Sequence, residues 1–124
     1  MIFMNKINPA TVLLVDADAD EARRSKNELE AQGYRVICAG SGEQAFAAFE
    51  REKIDAVVVA ALLPDMHVLD LIDDIAAKRD RNVRIIVNDA GPNYRHDFRY
   101  WAADAIVDRS SYSQRLFNYV ATQL

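Results

Sequence analysis

The stretch Thr11-Val12-Leu13-Leu14-Val15, closed by Asp16, decides the fold. It is too short for a buried helix, and it does not alternate as a half-exposed strand would. It reads as a strand covered on both faces, the pattern of a parallel sheet inside an α/β sandwich. Working outward, Asp18 to Gln32 is charged and contains no Gly or Pro, so it reads as a helix. Asp18 is its cap, with Glu21 at capping-box spacing, and its apolar stripe is only Ala22 and Leu29. Gly33 suits a helix C-terminus. Tyr34 to Ala39 is a second strand nearer an edge. Ser41-Gly42-Glu43-Gln44 has capping-box spacing and opens a helix carrying Ala45, Phe46, Ala48 and Phe49.

Asp55 to Ala61 is expected to be the third strand, centred on Val57, Val58 and Val59. Pro64 and Asp65 then start a helix with Asp65 as N-cap, and Val68, Leu69, Leu71, Ile72, Ile75 and Ala76 keep the helical period. Val83 to Val87 is the fourth strand. Gly91-Pro92 precedes a short aromatic helix at about Asn93 to Trp101, and Ala105-Ile106-Val107 is a fifth strand. Ser110 or Ser111 caps a last helix that runs close to Leu124. Residues 1–10 form a tail, and residues 11–124 one α/β domain, doubly wound as (βα)5 in three layers. Ligand sites in such a fold lie at the carboxyl ends of the strands. These ends are Asp16–Asp18, Ala60–Leu62, Asn88–Asp89 and Asp108–Arg109.

Composition excludes several classes. A chain of 124 residues, 51% apolar and 27% charged, suits one domain that needs no staple. The single Cys38 has no intrachain partner, which fits a reducing compartment. No apolar run reaches the ~18–20 residues of a membrane span, and Met1-Ile2-Phe3-Met4 lacks the basic and apolar regions of a signal peptide. A net charge of -4 argues against nucleic-acid binding. A cytoplasmic location follows, with no membrane partner. His67 and His96 stand alone, so no zinc set can be assembled. Gly40-Ser41-Gly42 lacks the ending of a phosphate-binding loop. Ile2-Phe3-Met4 either docks on a groove or is disordered.

Across nearly its whole length the chain resembles the receiver domain of two-component response regulators. The likeness rests on Val12-Leu13-Leu14-Val15-Asp16, Gly33-Tyr34-Arg35-Val36, Ser41-Gly42-Glu43-Gln44-Ala45 and Leu63-Pro64-Asp65-Met66. It implies a flavodoxin-like fold with strand order 2-1-3-4-5. A working receiver takes a phosphoryl group on an aspartate ending the third strand, and holds Mg2+ with that aspartate and an acidic pair after the first. A Thr or Ser after the fourth strand and a Lys after the fifth contact the phosphoryl oxygens. That chemistry needs a carboxylate nucleophile, a hard cation and charge-neutralising donors.

Carried over, Asp16 matches the first acid and Ala17 stands in place of its partner, with Asp18 the near substitute. The phosphoacceptor position falls on Ala60, or on Ala61 if the register slips by one, and neither is a nucleophile. Asp89 replaces the hydroxyl residue and Asp108 the lysine. Arg109 sits where a proline is usual, and Ala105 where a switching aromatic is. The resemblance therefore implies a pseudo-receiver that is not an enzyme. The alternatives are a cation- or pH-responsive switch through an acidic pocket, and a conventional phosphorelay receiver with a displaced acceptor.

Asp16, Asp18, Asp89 and Asp108 would gather at one end of the sheet. They either cap helices and face water, hold a weak Mg2+ or Ca2+, or pair with Arg109. No resident cofactor is expected. Seven of the eleven aromatic residues follow position 93. Tyr94, Phe98 and Trp101 are at helical spacing, whereas Tyr100, Tyr112 and Tyr119 exceed what one buried face can take. Tyr94, Tyr100, Trp101, Tyr112 and Tyr119 are the interface candidates. In the family this face, formed by the fourth helix, fifth strand and fifth helix, meets partners and dimer mates. The chain stops where the last receiver helix is expected to stop, which leaves room for an effector domain in a longer protein.

Overall fold

The computed structural model describes residues 10–60, 63–78, 83–88 and 105–107. Strands β1 (Thr11–Val15), β2 (Arg35–Ala39), β3 (Ala56–Ala60), β4 (Arg84–Asn88) and β5 (Ala105–Val107) form one sheet of order β2-β1-β3-β4-β5. Every pairing is parallel. The helices are α1 (Ala19–Ala31), α2 (Gly42–Arg51) and α3 (Val68–Lys78). This is the expected doubly wound flavodoxin-like arrangement, with β2 at the edge.

Burial of both sheet faces explains the unbroken apolar strands. Leu13, Val15, Val57, Val59, Ile85 and Val87 share one core with Ala45 and Ala48 of α2 and with Leu71, Ile72 and Ile75 of α3. Val12, Leu14, Val58 and Ile86 share the other with Ala22 and Leu29 of α1. Strands β1 to β4 thus feed two cores through their twofold side-chain alternation. The thin stripe of α1 has a third member that hydropathy conceals, since Ser25 is 1% exposed. Gly33, at φ +98°, supplies the left-handed residue after α1.

Several boundaries move. The second strand begins at Arg35 rather than Tyr34, and the fourth covers Arg84–Asn88 rather than Val83–Val87. The third strand covers Ala56–Ala60, with Asp55 at its threshold, where the carboxylate Oδ2 accepts the Thr11 N–H at 2.8 Å. The Asp55 N–H in turn donates to the Thr11 carbonyl at 2.9 Å, locking the entry of β3 to that of β1. The helix expected from Asp65 starts at Val68 instead, because its first turn is capped from His67. The His67 Nδ1 accepts the Leu69 N–H at 3.1 Å, and its carbonyl accepts the Asp70 N–H at 3.0 Å. Among the described residues, no helix is long and apolar enough to cross a membrane.

Candidate functional site

β1, which runs into the middle of the sheet, delivers Asp16 to its carboxyl edge. Asp16 is 8% exposed, and its N–H donates to the Ala39 carbonyl at 3.0 Å, extending the β1–β2 ladder by one rung. Its Oδ1 accepts the Asp18 N–H at 2.9 Å. Asp18 is exposed and caps α1, its Oδ1 accepting the N–H groups of Asp20 at 3.0 Å and Glu21 at 3.2 Å. The capping box expected between Asp18 and Glu21 is therefore half-formed. Asp16 takes the Asp18 N–H, and the Glu21 carboxylate pairs with Arg24 at 2.8 Å. Two carboxylates are thus linked head to tail into the start of α1, where the helix dipole favours negative charge. Exposed Ala17 lies between them.

Ala60 is the last residue of β3, pairs with Asn88 of β4 and is 6% exposed. The last β1–β3 pair is Val15 with Val59, so Asp16 and Ala60 follow on adjacent strands at the same edge. This edge offers the carboxylate of Asp16 and, on β3, a methyl group. Asp89, Asp108 and Arg109 lie outside the described residues, as do Ala61, Leu62, His96 and the tail at 1–9. The same holds for Tyr94, Tyr100, Trp101, Tyr112 and Tyr119, and for the two helices expected around them. Of the four expected acids, Asp16 and Asp18 are placed, and they come together. Among the described residues, no three His, Cys, Asp or Glu side chains are grouped to share a metal ion.

Sequence reasoning missed one polar contact beside this edge. Asp65 was expected to cap its own helix, yet its carboxylate reaches back to α2. Oδ1 accepts the Gly42 N–H at 2.8 Å and Oδ2 the Glu43 N–H at 2.9 Å. Ser41 Oγ takes the Gln44 N–H at 3.1 Å, and Gln44 Oε1 takes that of Gly40 at 2.9 Å. The first turn of α2 is thus satisfied from two directions. A β-carbon at 42 would stand 2.5 Å from Met66 Cγ and 2.8 Å from Cε, so a larger residue there would require the flexible Met66 side chain to move aside. A 23-residue separation hides this cap from local pattern reading.

The Glu43 and Gly42 N–H groups hold the Asp65 carboxyl below its ordinary 3.8. A carboxyl lowered in the folded state stabilises the fold above the unfolded value, and that stabilisation is lost as pH falls through the folded one. Acid unfolding of the wild type is therefore expected to steepen below about pH 4. Asp65→Asn should lower the melting temperature at neutral pH and flatten the acid limb. Parallel acid limbs for the two proteins would refute this role.

Residues 12–120 match the family model of the response regulator receiver domain. The chain belongs to that family. The probable transcriptional regulatory protein TcrX of Mycobacterium tuberculosis is 36% identical to this receiver domain over 70 residues, 56% of the chain and 30% of TcrX. The match thus spans less than a third of that protein. The crystal structure of response regulator TrrA from Thermotoga maritima in complex with Mg2+–BeF superposes with a TM-score of 0.84 at 30% identity, covering 93% of this chain and 99% of TrrA. TrrA in complex with the histidine kinase ThkA gives a TM-score of 0.83 at 30% identity, covering 93% and 98%. The receiver domain family comprises signalling modules of two-component systems, and that is the coarse role of this chain.

Proposed function

We propose that this receiver domain signals by protein contact, without aspartyl phosphorylation at the end of its third strand. The observation that carries the reading is Ala60, a buried alanine closing β3 beside the carboxylate of Asp16. A phosphoryl transfer needs an oxygen nucleophile, and a methyl group has none. The family's Mg2+ ligands also fit poorly here. Ala17 and Ala60 bring no side-chain oxygen, and Oδ1 of both Asp16 and Asp18 already accepts backbone N–H groups. Asp89 in place of the hydroxyl and Asp108 in place of the lysine support the same reading, since both add negative charge where a phosphoryl group would need donors.

On this reading the domain is a cytoplasmic adaptor with no enzymatic activity and no resident cofactor. Its partner is a protein, or a second copy, bound through the aromatic residues Tyr94, Tyr100, Trp101, Tyr112 and Tyr119. TrrA, which forms a complex with a histidine kinase, supports the class of partner. Amide shifts recorded with Mg2+, and then with added beryllofluoride, test the proposal. Spectra should not change further on beryllofluoride addition. A fluoride-dependent shift around Asp16 and Ala60 would overturn it. Shifts with Mg2+ alone around Asp16, Asp18 and Asp108 would replace it with a cation-responsive switch, in which Arg109 is the counter-charge.

A further inference from the structure

Between α2 and α3, on the sheet face opposite α1, lies a groove of about 400 Å3 lined by Glu43, Phe46, Asp65, Met66 and Asp74. Its apolar part is Phe46 and Met66, both half-buried and packed on the core beneath. Its polar part is three exposed carboxylates, and among the described residues no Lys or Arg lines it. The Glu43 and Gly42 N–H groups at the N-terminus of α2 hold the Asp65 carboxyl below its ordinary range and fix it at the groove's rim. The helix donors that could attract an anion are already consumed by that carboxylate.

We infer that this groove docks a segment of a partner protein bearing one large apolar side chain flanked by Lys or Arg. The apolar side chain would lie on Phe46 and Met66, and the cations would meet Glu43, Asp65 and Asp74. Charge complementarity selects this occupant. A second copy docked groove to groove would set acidic lining against acidic lining, and an anionic ligand would meet like charge on three sides. The inference is independent of the aromatic face and of the phosphoryl question, because it uses other residues.

Random-peptide display against the whole chain, followed by amide-shift mapping of the best peptide, tests it. Selected peptides should carry Lys or Arg beside Leu, Met or Phe, and should shift the amides of Glu43, Phe46 and Met66. Their affinity should drop at least about tenfold in Asp74→Lys, and likewise in Glu43→Lys, with the helical circular dichroism of each variant retained. Raised salt should weaken binding. Selection without a basic–apolar pattern, shifts elsewhere on the domain, or affinity unchanged in both variants would overturn the inference. It would also fail if deleting residues 1–9 itself shifted the groove amides, because the occupant would then be the chain's own tail.

Discussion

Leu13→Ala is expected to lower the free energy of unfolding by about 2–5 kcal/mol. Leu13 is 0% exposed at the centre of β1, flanked by β2 through Ile37 and by β3 through Val57. It lies in the core that α2 and α3 close, so truncation would leave a cavity within packed side chains. A domain of this size is stable by about 5–15 kcal/mol, so one substitution removes a large share of the total. In urea the midpoint should fall with the slope unchanged. A loss well under about 1 kcal/mol would mean that β1 is not the packed centre described here.

Ala60→Asp is the second large effect, and it bears on chemistry. The new carboxylate would enter a position 6% exposed, next to Asp16 at 8%. Burial and a like charge both disfavour ionisation, and the cost is about 1–3 kcal/mol. Millimolar Mg2+ should recover part of it by bridging the two acids, and EDTA should abolish that recovery. On the proposed reading the substitution should not restore phosphoryl transfer, since Asp89 and Asp108 stand where the resemblance places the hydroxyl and the lysine. Melting curves with and without Mg2+, read beside intact mass after acetyl phosphate, check both parts. A variant as stable as wild type that takes up a phosphoryl group would show that the remaining machinery is competent.

Strand content was legible because burial on both faces leaves runs such as Val57-Val58-Val59 with no polar alternation to misread. Caps that act within four residues were legible as well: Asp18 on α1 and Ser41 on α2 both bond the N–H groups that the pattern assigned them. What escaped depends on distance along the chain. Asp65 looks like a cap for its own helix, yet it serves α2, and only the packed fold brings Gly42 within 2.8 Å. Ser25 reads as polar surface, yet the fold buries it, since helix register and not hydropathy decides which side meets the sheet. At the site itself, Asp16 and Ala60 fall on adjacent strand ends as the resemblance implied.

The central claim is that a receiver fold is kept here without its phosphoacceptor. Intact-mass measurement of the wild-type chain after incubation with acetyl phosphate and Mg2+ tests it most directly. The expected result is the unmodified mass alone, at every time point and across neutral pH. A phosphoryl adduct mapped to any aspartate at the carboxyl edge of the sheet would contradict it.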